Sequence, residues 1–491
     1  MNKATNSGRE RAAALACCAA LAALMLLFAS QCSPLYPINV WDDANCLLTV
    51  GRVMKRGGVL YRDIYEQKGP LLYLIHMLAA CVSDTSFLGV YMMEIPALTA
   101  ALYAAYRLMR LRAGKGFALG AAAVFSALAT TGGAFMRGDS AEEFCLPLLT
   151  AVLAIAYAEY GRRAKPMRVK RLLVCGVLAG CVAAIKYTLL GALAGLCLVE
   201  GILALKEGGV PRALQSAGVF LIGMAIPILP WIVYFAANGA LSDAYTAYLY
   251  NNIFLYSGEA ATWGQKLGDA ARSIRDNALW ALPTALGLAA LLTDRGEMGA
   301  VRLCAAAMAA GQFAAVFFVG RVWPYSLLAL APFFPIGCMQ LHRALKKFGS
   351  LRCQKGLTAA VCAAGLVWAY FATPNAFLRG QKLEVLAQGR LAGYMEQGAS
   401  LLQYSHLDDG LYLTARTLPQ EKYFVRLNVQ FDDMREELDS AVREGRPEYV
   451  LISWRELPAE FDRYQLIATD VGYDDGNRLN KMLYLYRRKS E

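Results

Sequence analysis

Asp42 and Asp43 stand side by side shortly after the first apolar run of the chain, in Trp41-Asp42-Asp43-Ala44-Asn45. A second charged stretch follows in Arg62-Asp63-Ile64-Tyr65-Glu66-Gln67-Lys68, and a third in Arg137-Gly138-Asp139-Ser140-Ala141-Glu142-Glu143. Lys186 and Arg321 each sit at the end of an apolar run. Ionisable groups beside apolar stretches cost free energy unless they are paired or functional. Carboxylates near Lys and Arg in such a setting suit one kind of chemistry. The cations neutralise a lipid-borne phosphate and stabilise it as a leaving group, while a carboxylate takes the proton of an attacking hydroxyl. A second carboxylate orients the acceptor or holds the first in place. Asp63 and Glu66 also have a simpler role within reach, as local partners of Arg62 and Lys68.

The elements that must position these groups are apolar. Of 491 residues, 57% are apolar and only 18% charged, with mean hydropathy +0.36. That composition excludes a disordered chain or a coiled coil and points to a polytopic membrane protein. The net charge of +11 is then the mark of basic cytoplasmic loops rather than of nucleic-acid binding. Most of the 13 Cys, among them Cys17, Cys18, Cys175, Cys181 and Cys197, lie in apolar runs and behave as small hydrophobes. Cys32 and Cys46 flank a predicted outer loop, but a bridge between them is not expected. His76, His342 and His406 are too dispersed for a metal cluster. No P-loop, G-x-S-x-G or H-E-x-x-H is present.

Runs of bilayer length fall at roughly 12–30, 86–106, 116–134, 143–160, 171–187, 188–205, 213–236, 278–293, 300–319, 322–341 and 356–372. About eleven transmembrane helices are therefore expected in residues 1–374. The N-terminus is placed in the cytoplasm, and outer loops at about 31–85, 135–142 and 238–277. The basic groups Arg107–Lys115, Arg162–Arg171 and Arg343–Lys355 all fall on the inner side of that scheme. Trp41, Trp231, Trp280, Trp323 and Trp368 fall near outer helix ends, where indole rings favour the interface. Pro70–Val82 is apolar yet would invert the basic loops if it spanned, so it is expected to be a juxtamembrane or re-entrant helix packed on protein. Residues 375–491 lack Cys and carry alternating patterns of a small soluble α/β domain, placed outside the cell membrane. Strands are expected at Gly410–Ala415, Tyr449–Trp454 and Met482–Tyr486, and helices at 381–402 and 432–443.

In this order the charged motifs resemble the polytopic glycosyltransferases of the GT-C fold, in the protein mannosyltransferase and aminoarabinose transferase branch (glycosyltransferase family 39-like). Members carry an acidic pair soon after the first helix, matched by Asp42-Asp43, with Asp where the family has Glu at the second position. A Lys/His-Pro-Pro-Leu motif is matched by Lys68-Gly69-Pro70-Leu71, with Gly for the first Pro. Ser140-Ala141-Glu142-Glu143-Phe144-Cys145-Leu146-Pro147 resembles the bacterial Asn-Thr-Glu-x-x-x-x-Pro form and favours Glu142, with Asp139 and Glu143 as alternatives. Ile185-Lys186-Tyr187 resembles a Thr-Lys-Gly helix break, and Trp323-Pro324-Tyr325 a Pro-His-Tyr segment without its His.

The resemblance, over most of residues 10–345, implies transfer of a sugar from an isoprenoid-phosphate donor to an extracytoplasmic hydroxyl on an envelope glycan, lipid or protein. Asp42 would be the general base, with inversion at the anomeric carbon, and Asp43 and Glu142 its catalytic companions. Lys68, Arg321 and Lys186 would bind the donor phosphate; Arg137, Asp139, Glu143 and Tyr325 would serve the acceptor side. Monophosphate donors in this family generally dispense with a metal, so no metal or other cofactor is expected. The setting would be the plasma (inner) membrane. Two other classes compete. Glu94, beside Pro96 in an apolar run, would suit a transporter or flippase of envelope precursors. A non-catalytic scaffold would use residues 375–491 but leave the acidic loops unexplained.

Overall fold

The computed structural model describes residues 2–255, 262–318, 322–346, 355–405, 407–427, 429, 431–474 and 476–490. In chain order the helices are α1 (Asn2–Ala29), α2 (Asp42–Lys55), α3 (Pro70–Val82), α4 (Leu88–Met109), α5 (Lys115–Thr131), α6 (Ala141–Tyr160), α7 (Val169–Lys186), α8 (Gly191–Ala237) and α9 (Leu241–Ala244). A π-helical stretch, Tyr245–Leu255, leads on to α10 (Trp263–Asp276), α11 (Ala278–Thr293) and α12 (Gly299–Phe317). A 3-10 segment, Pro324–Phe333, runs into α13 (Phe334–Lys346), followed by α14 (Lys355–Ala372). Then come α15 (Ala387–Ala392), β1 (Leu401–Gln403), α16 (Leu411–Thr414), α17 (Asp432–Glu444), β2 (Tyr449–Ser453), β3 (Tyr464–Tyr473) and β4 (Leu479–Arg488).

Each of the eleven apolar runs is mainly helical over its described residues. Among the described residues eight helical stretches are long and apolar enough to cross a membrane, and Pro70–Val82, Lys115–Thr131 and Ala278–Thr293 are shorter apolar helices. α8 is one of the eight, but Gly208 and Gly209 leave the helical backbone inside it and Pro211 follows, so it is two helical segments joined at a kink. The protein is an integral membrane protein, mostly helical, with a small C-terminal sheet.

The chain forms two compact units. The first comprises Met1–Ser30, Glu94–Trp231 and Ala261–Ala376. Its helices approach closely where side chains are small, as membrane helices do: a Cβ on Gly176 of α7 would lie 3.0 Å from the Cα of Gly223 in α8.

The second unit comprises Gln31–Met93, Ile232–Ala260 and Phe377–Glu491, so the C-terminal sheet shares one body with α2 and α3. The α2–α3 pair is tight: a Cβ on Gly51 would meet the His76 carbonyl carbon at 2.5 Å. Pro70, Leu72, Tyr73, His76, Ala79 and Ala80 of α3 are buried, and Pro70 takes the first helical turn, where a missing N–H costs nothing. The sheet has the order β1-β2-β4-β3, with β1 parallel to β2 and the other pairs antiparallel.

In the C-terminal region the helix at 432–443 and the strands at Tyr449 and Met482 lie where the patterning puts them. β1 and β3 are additional. The strand expected at Gly410–Ala415 is instead a single helical turn, Leu411–Thr414, entered through Gly410 at φ 87°. The helix expected at 381–402 shrinks to Ala387–Ala392 after a 3-10 turn. Cys32 and Cys46 are both buried, and neither is in a disulfide.

Candidate active site

In the second unit, Asp42 and Asp43 occupy the first turn of α2, whose N-cap is Trp41. Negative charge is favoured there by the helix dipole. The approach to the helix is fixed by amide side chains. Val40 N–H donates to Gln31 Oε1 at 3.0 Å, Trp41 N–H to Asn39 Oδ1 at 2.9 Å, and Asn45 Nδ2 to the Asn39 and Trp41 carbonyls at 2.9 Å.

Each acid has its own lysine. Lys68 Nζ donates to Asp43 Oδ1 at 3.1 Å and to Glu66 Oε1 at 3.3 Å, and its backbone N–H donates to Glu66 Oε2 at 3.1 Å. Burial disfavours the Lys68 charge, but the Asp43 and Glu66 carboxylates outweigh it and hold its pKa above the usual lysine range. Lys68 therefore stays an ammonium, the form a phosphate requires. Asp42 meets a different cation: Lys481 Nζ, from β4, donates to Asp42 Oδ2 at 2.6 Å and also pairs with Asp409. Burial, again outweighed by carboxylates, those of Asp409 and Asp42, leaves Lys481 charged as well.

The loop carrying Asp409 is tied to α2. Thr49 Oγ1 donates to Asp408 Oδ2 at 2.7 Å, Asp408 N–H donates to Cys46 Sγ at 3.3 Å, and Arg52 Nη1 donates to the Tyr412 carbonyl at 3.1 Å. Gln403 Nε2 and the Gly410 N–H also donate to Asp408. Burial nevertheless pushes the Asp408 carboxyl up to about 6.

In the first unit, the loop before α6 brings together three acids. Asp139 N–H is shared between Glu94 Oε1 at 3.0 Å and Glu143 Oε2 at 2.9 Å. Ser30 Oγ donates to Glu94 at 2.9 Å. Ser140 caps α6 by accepting from Glu143 N–H at 3.0 Å. The loop needs such support, because Met136, Gly138 and Asp139 all have positive φ, at 55°, 83° and 67°. Arg137 is among the largest fully buried side chains.

A second cluster joins segments distant in sequence: Lys186 Nζ donates to Glu142 Oε1 at 2.7 Å and lies 5.1 Å from the centre of the Tyr325 ring. Tyr325 in turn stacks on Trp323, their ring centres 6.3 Å apart.

The sequence candidates thus divide. Asp42, Asp43 and Lys68 meet in the second unit. Glu142, Lys186 and Tyr325 meet in the first, where Asp139 and Glu143 also meet with Glu94. Arg321 lies outside the described residues. Lys481 and Asp409 were not anticipated, although a signal existed. Lys481 shares its buried strand face with Leu483 and Leu485, and a lysine in that alternation requires an acid. Among the described residues no group of three His, Cys, Asp or Glu side chains is placed to hold a metal ion.

No family model and no curated protein sequence matches the chain. Solved structures do. The crystal structure of ArnT from Cupriavidus metallidurans bound to undecaprenyl phosphate superimposes with TM-score 0.62 at 14% identity, over 95% of this chain and 97% of that one. The apo form of the same protein gives 0.57 at 14% identity, over 94% and 95%. By this likeness the chain has the GT-C fold of polytopic membrane glycosyltransferases.

Proposed function

We propose that this protein is a membrane glycosyltransferase that moves a sugar from an isoprenoid-phosphate donor to a hydroxyl acceptor of the cell envelope. The observation that carries the reading is the acid pair at the head of α2 with Lys68 against it, in a chain with the GT-C fold. Undecaprenyl phosphate bound to the neighbour ArnT supports the donor class.

In the proposed reaction Asp42 takes the proton of the acceptor hydroxyl. The oxygen attacks the anomeric carbon as the bond to the phosphate oxygen breaks. The lipid leaves as its monophosphate, and a single displacement inverts the anomeric configuration. Lys68 meets the leaving phosphate, exchanging a carboxylate partner for it, and Asp43 keeps Lys68 aimed. Glu142 is the further catalytic carboxylate of the reading. Lys186 and Arg321 are proposed donor ligands, and Arg137, Asp139, Glu143 and Tyr325 acceptor-side residues, each tested singly by its effect on donor or acceptor KM. The acceptor is a glycan, lipid or protein on the outer face of the plasma membrane. The reading routes no step through a metal, so chelation is expected to leave turnover unchanged.

The test uses the full-length protein in lipid nanodiscs with a panel of undecaprenyl-phosphate monosaccharides, following the undecaprenyl phosphate set free as the sugar passes to an acceptor or to water. Asp42→Asn is expected to lower release at least about 100-fold, the scale of a lost general base, with expression and donor binding kept. Retained release in that variant removes the base from the reading. Glu460 is exposed, and a Glu460→Cys variant labelled by a membrane-impermeant maleimide on intact cells checks that the C-terminal sheet faces outward.

A further inference from the structure

The hairpin of the C-terminal sheet places one buried cation against the proposed base. Residues 481, 483 and 485 alternate onto the buried face of β4, and at the first of these the side chain is a lysine, 7% exposed. Its ammonium lies between Asp42 at the head of α2 and Asp409, whose side chain is 1% exposed. Burying a lysine at a position suited to leucine is unfavourable unless paired charge offsets it. The arrangement is held from several sides. Asp408 is anchored by Thr49 and Cys46 of α2, Arg52 of the same helix holds the Tyr412 carbonyl, and β4 is fixed between β2 and β3. No such provision is needed for folding alone, since Met or Leu at 481 and Asn at 409 would fill the same places.

We infer that Lys481 is a positioning residue for the transfer reaction: through its bond to Asp42 Oδ2 it fixes the orientation of that carboxylate and keeps it ionised, so the base works only while the C-terminal sheet is in place. The inference rests on the reading of Asp42 as general base. The charged and titratable groups around Asp42 include, among the described residues, Lys481 from β4, Asp409 behind it, and the neighbouring Asp43 with Lys68, Glu66 and Cys46. Lys481 itself touches neither donor nor acceptor in this scheme. Removing its positive charge favours the protonated form of Asp42, so the acid limb of turnover moves to higher pH.

The experiment compares wild type, Asp42→Asn, Lys481→Met, Lys481→Arg and the double variant Lys481→Met/Asp409→Asn, as full-length protein in nanodiscs with the undecaprenyl-phosphate sugar panel. The double variant is included because Lys481→Met alone leaves Asp409 as an unpaired buried charge and is prone to misfold. In it, kcat is expected to fall about 10–100-fold, the scale of a misplaced catalytic group, with donor KM nearly unchanged. Its acid limb is expected to move up by about 1–3 pH units. Lys481→Arg, which keeps the charge, is expected to retain the wild-type limb.

A double variant with wild-type kcat and acid limb overturns the inference while leaving Asp42 as base. Turnover retained in Asp42→Asn instead overturns the underlying reading, and the role of Lys481 with it. One further arm needs no turnover: acylation of native protein by an N-hydroxysuccinimide acetate, read by peptide mass spectrometry. Lys481 is expected to be protected relative to exposed Lys489, and to gain reactivity in Asp42→Asn. Equal labelling of the two lysines in the native protein overturns the inference.

Discussion

Two clusters of buried acids, one in each unit of this protein, are held in different ways. In the second unit Asp42 and Asp43 are each matched to an ammonium, from β4 in one case and from the loop before α3 in the other. In the first unit Glu94 and Glu143 converge on a backbone amide, that of Asp139, with Ser30 adding a hydroxyl. An ammonium keeps a carboxylate ionised, the form a general base requires. An amide shared by two carboxylates does something else: it locks a loop whose residues 136, 138 and 139 hold positive φ. The first arrangement is fit for proton transfer and the second for holding shape. The contrast sets Asp42 and Asp43 apart from Glu94 and Glu143, while Glu142 of the first unit has a lysine of its own, Lys186.

The strongest way to press on the comparison is through the lysines. Lys68, 13% exposed, bridges two carboxylates, one of them the almost fully buried Glu66. Lys186 pairs with Glu142 and is 23% exposed. Removing one partner of a buried ion pair costs about 3–5 kcal/mol because the other charge is stranded. Lys68→Met is expected at that level in thermal unfolding of the detergent-solubilised protein, with Lys186→Met costing less. The triple variant Lys68→Met/Asp43→Asn/Glu66→Gln is expected to recover most of the loss while remaining inactive. An inverted order for the two single variants would remove the distinction between the units.

Asp408 gives a smaller effect with a defined pH window. It lies beside the paired acids but is held by neutral donors, and burial lifts its carboxyl from 3.8 to about 6. The folded state therefore binds this proton more tightly than the unfolded chain. The associated stability is present below about pH 4 and is lost as pH rises through 6, a change of about 3 kcal/mol. Asp408→Asn is expected to flatten that part of the stability profile measured between pH 4 and 7. An unchanged profile would show that the neutral donors around Asp408 compensate its charge fully.

Much of this organisation is legible in the sequence, and the remainder is hidden for identifiable reasons. Apolar runs mark the helices because a bilayer demands length and hydropathy from a local stretch, and Lys68-Gly69-Pro70 announces its own helix start. Lys481 and Asp409 escape because their partner, Asp42, is more than 360 residues away in the chain; only the Lys481/Leu483/Leu485 alternation hints that an acid must come from somewhere. The misread strand at Gly410–Ala415 has a different cause. Leu411, Tyr412 and Leu413 are all buried, and a short, wholly buried apolar run has no period that separates strand from helix. The left-handed Gly410, which starts the turn, was the available clue. Pairings within the loop before α6 were beyond sequence reading for a third reason, since Asp139, Glu142 and Glu143 are near-equivalent until the helix phase and Ser140 cap are fixed.

The least disruptive test addresses that loop. Glu143→Ala removes one of the two acceptors of Asp139 N–H, but Glu94 Oε1 remains at 3.0 Å. The loss should therefore resemble one net hydrogen bond, about 1 kcal/mol, seen as a slight fall in melting temperature. If the acids of this unit serve mainly to hold shape, release of undecaprenyl phosphate at saturating donor should stay close to wild type in Glu143→Ala. Removing both acceptors in Glu94→Ala/Glu143→Ala should cost more than the sum of the single variants, because only then does the amide of a left-handed residue lose both of these carboxylates. A collapse of release in Glu143→Ala with an unchanged melting temperature would instead make this carboxylate part of the chemistry. The two units would then share the work of proton transfer rather than divide shape from reaction.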